Sequence, residues 1–157
     1  MADEPFTLKR DRGRALLIMA TSRQILRMIT TRSDCRRGQL VRWLEAVLGA
    51  ERARYCAVID AAGGAESWAA APGLRALMEG AVRRARAPIF FIQAENDYDL
   101  SPSLSLAKAM HDVGKDADVK IYSRFGQSPA EGHSFAWRGG GIWAEDVFGF
   151  LSKHCGG

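Results

Sequence analysis

The chain's 157 residues and 47% hydrophobic content fall in the ordinary globular range, enough for a single soluble domain with a real core. Its net charge of +4 is concentrated in the first third: residues up to Arg54 hold 12 Lys/Arg against 6 Asp/Glu, the remainder 10 against 12. The arginines of that third (Arg23, Arg27, Arg32, Arg36, Arg37, Arg42) lack the aromatic platforms and groove-reading motifs that accompany nucleic-acid binding. A solvated helix face is therefore expected there, and nucleic acid is not expected as a partner. Cys35, Cys56 and Cys155, odd in number and widely spaced, give neither a disulfide framework nor a metal-ligand pair. Reduced thiols and a cytoplasmic location are expected. The apolar run "ALLIMA" (15–20) is too short for a signal-peptide core or a bilayer span, so no membrane association is expected.

In chain order, the first 54 residues form a basic segment without a recognisable strand. Its Leu16, Leu17, Ile18, Ile25, Leu26, Met28 and Ile29 suit a helix docked on a sheet. From Tyr55 the organisation becomes regular. "YCAVID" (55–60) is a short β-rich run closed by the Gly63-Gly64 turn, "APIFFIQA" (87–94) a stronger one, and "ADVKIYS" (117–123) a third. Between the first two, Leu74, Leu77, Met78, Ala81 and Val82 recur at helical spacing, with Pro88 marking the start of the next element. Between the second and third, Leu104, Leu106, Ala109, Met110 and Val113 predict a helix that closes near Gly114. A last helix from Gly141 carries Ile142, Val147, Phe148 and Leu151. Strands alternating with helices predict an α/β fold with a parallel sheet covered on both faces.

Ligand sites of such sheets lie beyond the carboxyl ends of the strands. After "PIFFIQA" come Glu95, Asn96, Asp97, Tyr98 and Asp99, a suitable place for a carboxylate that orients a histidine. The histidine is found in "EGHSFAW" (131–137), which reads in two incompatible ways. Gly132-His133-Ser134-Phe135-Ala136 is one glycine short of the G-x-S-x-G nucleophile elbow, yet no apolar strand runs into Gly132, because Gly126, Pro129 and Glu131 precede it. Only 23 residues follow Ser134, too few for further strands bearing an acid and a histidine. His133, placed in an irregular loop, is the candidate base and Ser134 its neighbour. His111, within a helix, and His154, at the chain's end, are expected to be solvated.

"APIFFIQAENDYDLSPSLSLAKAM" followed by "VKIYSRFGQSPAEGHSFAWRGGGIWAEDVFGFL" resembles the C-terminal part of the dienelactone hydrolase-like enzymes, from Tyr55 to the end. Strand, acid, proline, helix, strand, histidine loop and final helix recur in that order. The resemblance implies part of an α/β-hydrolase fold at 55–157, Asp97 as triad acid with Asp99 as fallback, and His133 as triad histidine. It also implies hydrolysis of a small-molecule ester or lactone through an acyl-enzyme, with no metal and no organic cofactor.

The chain departs from that pattern in one respect. Neither G-x-S-x-G nor G-x-C-x-G occurs, so the nucleophile and one oxyanion-hole donor have no candidate and activity is expected to be impaired. The alternative is a non-catalytic binding or regulatory module that uses the basic third. The "YCAVID" strand would expose an unpaired edge unless residues 1–54 or a second copy of the chain covers it. We hypothesise that Ser33–Trp43, "SDCRRGQLVRW", is an out-of-frame translation, because its codons can be chosen so that the shifted frame spells an apolar strand and G-N-S-F-G. Coding DNA that spells no elbow in that frame would end the idea.

Overall fold

The computed structural model describes residues 55–155 and the backbone strand Leu16–Met19. The arginine stripe, Cys35 and the Ser33–Trp43 stretch lie outside the described residues. Strands β1 (Leu16–Met19), β2 (Val58–Ala61), β3 (Ile89–Ala94) and β4 (Ala117–Tyr122) form one sheet in the order β1-β2-β3-β4, every neighbouring pair parallel. Helices α1 (Pro72–Arg84), α2 (Ser101–His111), α3 (Pro129–Arg138) and α4 (Gly140–Cys155) complete it.

The strand β3, "IFFIQA", is buried along its whole length, as a central strand of a parallel sheet covered on both faces must be. Its period of two sends Ile89 and Phe91 into a core with Leu74, Met78 and Val82 of α1 and Leu106 and Met110 of α2. Phe90 and Ile92 enter a second core with Phe135 of α3 and Trp143, Val147, Phe150 and Leu151 of α4. The strand β4 is an edge, and its Asp118, Val119 and Lys120 are exposed accordingly. Leu77, Leu104, Val113, Ile142 and Phe148, counted among the apolar helix faces, are exposed. Among the described residues no helix is long and apolar enough to cross a membrane.

The structure corrects three expectations. First, the segment before Tyr55 does contribute a strand: β1 pairs Leu16 with Val58 through Met19 with Ala61 and covers the edge of β2. Its four residues sit inside a longer apolar stretch that also satisfies helical spacing, so periodicity did not separate the two. Second, His133 lies not in a loop but in α3. Third, the expected reduced thiols include a disulfide, Cys56–Cys155, with Cα atoms 5.2 Å apart. The pair is separated by 99 residues, and only the return of α4 alongside the start of β2 brings them within bridging distance.

Candidate active site

Because all four strands run the same way, their carboxyl ends share one edge. The chain leaves β3 there in a tight turn in which Asp97 N–H donates to Ala94 O at 3.1 Å. The Asp97 side chain is fully buried and its two oxygens are separately held. Oδ1 accepts from Tyr98 N–H at 2.7 Å and faces His133 Nδ1 at 3.0 Å. Oδ2 accepts from Gln93 Nε2 at 2.9 Å. A carboxylate can only accept, so Nδ1 carries the proton and the neutral ring presents Nε2 as a lone pair. Among the described residues Nε2 has no hydrogen-bond partner, and the ring keeps 14% of its surface open. Rings of Tyr98 and Trp137 flank it, with centroids 5.6 and 5.8 Å away.

His133 is delivered by a helix whose start is written in the sequence. Ser128 caps α3: its hydroxyl accepts from Glu131 N–H while the Glu131 carboxylate accepts from Ser128 N–H, a reciprocal capping box, with Pro129 in the first turn. The preceding loop is latched by Asn96, which donates to Phe125 O at 3.1 Å and Ser128 O at 3.0 Å and accepts from Phe125 N–H at 2.8 Å. Gly132 brings α3 against the acid's own turn. A Cβ built on it would lie 2.6 Å from Asn96 C and O and 2.8 Å from Asp97 N. The glycine of "EGHSFAW" thus serves a close helix-to-turn approach rather than an elbow.

Other residues sort themselves by contact. Ser134 turns its hydroxyl back onto Glu131 O at 2.6 Å and is buried, so it does not face His133 as a nucleophile would. Asp99 is occupied elsewhere, its Oδ1 accepting from Ser101 N–H at 2.8 Å at the start of α2. Phe135 is buried against Tyr122 and Phe125. His111 is exposed, as expected, with Nε2 2.7 Å from Ala117 O; His154, expected to be solvated, is instead half-buried, its ring packed on Phe150 with centroids 4.5 Å apart. Sequence reasoning missed Gln93, Asn96 and the helical setting of His133. The S-P-A-E string at 128–131 signals the last. No motif signals Gln93, although its partners Asp97, Asp99 and Ser103 lie within ten residues, and Asn96 is hidden because its partners Phe125 and Ser128 lie 29 and 32 residues away.

Burial works to lower the His133 pKa, but the hydrogen bond and charge of Asp97, with Glu66 adding to them, outweigh it and leave the ring above its ordinary value. On β2, Asp60 is buried with Gly63 N–H as a partner at 3.0 Å. Loss of hydration raises its carboxyl to about 6, the Gly63 hydrogen bond only partly opposing the shift.

No protein-family model matches the chain, and no curated protein sequence does. Among solved structures, Pyrococcus horikoshii acylaminoacyl peptidase, an α/β-hydrolase, is similar in fold with a TM-score of 0.55 at 15% identity. The likeness covers 72% of this chain but 22% of that one, so the chain spans well under half the length of the structure it matches. At that identity the likeness speaks for the fold alone: the architecture is α/β and is shared with part of an α/β-hydrolase.

Proposed function

We propose that the chain carries the acid and histidine of a hydrolytic triad of the dienelactone hydrolase type, acting on a small-molecule ester or lactone, and that its catalysis is impaired for want of a nucleophile elbow. The observation that carries this reading is the His133–Asp97 contact of 3.0 Å at the carboxyl edge of a parallel sheet. Asp97 holds the Nδ1–H tautomer and balances the imidazolium; His133 Nε2 would take the proton from an attacking hydroxyl and return it to the leaving oxygen. The peptidase that shares the fold acts on acyl groups by its name, consistent with acyl transfer as the reaction class.

The impairment rests on the sequence beside β1 and on Ser134. After Met19 the chain reads Ala20-Thr21-Ser22-Arg23-Gln24, with no glycine on either side of the serine to permit the strained elbow turn. Ser134 is committed to its own helix. The test is hydrolysis of p-nitrophenyl acetate by the parent, His133→Ala and Ser134→Ala, each checked for folding by circular dichroism. Weak turnover that His133→Ala changes by less than about threefold is expected, whereas removing one member of a working triad costs orders of magnitude. Robust turnover abolished by both substitutions would overturn the reading and make Ser134 the nucleophile. Loss with His133→Ala alone would instead give the chain a nucleophile elsewhere and a working enzyme.

A further inference from the structure

The acid of the pair is held by a second polar unit that the triad reading does not use. Gln93 is the fifth residue of β3, fully buried, and lies on the strand face shared with Ile89 and Phe91. Its amide is hydrogen-bonded through both ends: Nε2 donates to Asp97 Oδ2 at 2.9 Å and to Asp99 O at 2.8 Å, and Oε1 accepts from the buried Ser103 hydroxyl at 2.8 Å. Those partners fix which way the amide points. A flipped amide would set its oxygen against a carboxylate and a carbonyl, both acceptors only, and no hydrogen bond would remain to Asp97.

We propose that Gln93, locked by Ser103, is the positioning residue of this site: it fixes the plane of the Asp97 carboxylate so that Oδ1 stays aimed at His133 Nδ1. The inference rests on the Asp97–His133 reading. Oδ1 alone is pinned by Tyr98 N–H, which is a single pivot about which a carboxylate can turn. The Gln93 contact to Oδ2 supplies the second point and removes that rotation. Ser103 sits in the first turn of α2, so the chain Ser103, Gln93, Asp97, His133 ties two helices and a strand to one imidazole tautomer.

Nitrogen-15 NMR of the neutral His133 ring tests this without turnover, since a residue that merely stabilises the fold does not move a tautomer. The parent, Asp97→Ala, Gln93→Met and Ser103→Ala are compared, each retaining the parent's dispersed amide spectrum. In the parent, Nδ1 resonates as protonated and Nε2 as unprotonated. Asp97→Ala brings the two resonances together as the tautomers mix. Gln93→Met is expected to reproduce at least half of that displacement, and Ser103→Ala, a milder change that keeps the Gln93 side chain, part of it in the same direction. If Asp97→Ala moves the resonances while Gln93→Met and Ser103→Ala leave them at the parent positions, the positioning role is overturned and the pair stands. If Asp97→Ala itself moves nothing, the pair reading fails, and this inference with it.

Discussion

Asp60 and His133 make the molecule's stability depend on pH in the same direction for opposite chemical reasons. Asp60 is an acid whose folded pKa is raised from 3.8 to about 6, so the fold binds a proton that the unfolded chain has already released. Its contribution is therefore present in full below about pH 4 and is lost as pH rises to about 6. Asp60→Asn keeps an oxygen for Gly63 N–H without a charge to bury, and should stabilise the protein above pH 6 by up to about 3 kcal/mol, at 1.36 kcal/mol per unit. Urea unfolding at pH 4 and pH 8 checks it, with a gain expected at pH 8 and almost none at pH 4. The pKa of His133, raised above 6.5, gives the ion pair with Asp97 stability that is fully present below 6.5 and lost as pH rises through the folded value. Asp97→Ala should abolish that part of the pH dependence and lower the His133 titration midpoint in proton NMR. At this scale the sequence displayed Asp97 and His133 through their order after successive strands. It concealed Gln93 and Asn96, because an amide's role is set by the partners the fold brings to it, and the partners of Asn96 lie 29 and 32 residues away.

The element on which the site turns is α3. Gly126, Pro129, Glu131 and Gly132 read as loop residues by composition, yet three of them have helical reasons to be there. Pro129 and Glu131 start the helix, and Gly132 lets it approach the Asn96–Asp97 backbone. Gly132→Ala is expected to be costly although alanine is the better helix former, because its Cβ meets backbone atoms that cannot rotate aside. A loss of about 1–3 kcal/mol in urea unfolding, together with a weakened His133–Asp97 contact by NMR, is the expected result; a gain in stability would show that α3 stands further from the turn. Ser128→Ala removes the cap and should cost about 1 kcal/mol. The strands β2 and β3 were legible as compact apolar runs ended by turn residues, and β4 by the β-formers Val119, Ile121 and Tyr122 between turn residues. The strand β1 was not, since the four residues "LLIM" sit in a stretch whose apolar spacing fits a helix equally well.

Across the whole molecule, two long-range ties close what local pattern left open. The strand β1 pairs with β2 on the side away from β3, so a segment of the same chain covers the edge left in question by the sequence. The Cys56–Cys155 bridge joins the approach to β2 with the last residue of α4. A closed loop of this length corresponds to a stabilisation of about 4.7 kcal/mol in the chain-entropy account. Cys56→Ser should therefore lower the urea midpoint markedly against the oxidised parent and little against the reduced parent; equal midpoints for all three would mean that the bridge does not form in solution. The decisive measurement concerns the nucleophile. Intact-mass analysis after incubation with a serine-reactive fluorophosphonate reports directly whether any hydroxyl is activated by His133. The account of an acid–histidine pair without an elbow predicts no adduct in the parent under conditions that fully label a control serine hydrolase. A stoichiometric single adduct, absent in His133→Ala, would contradict it.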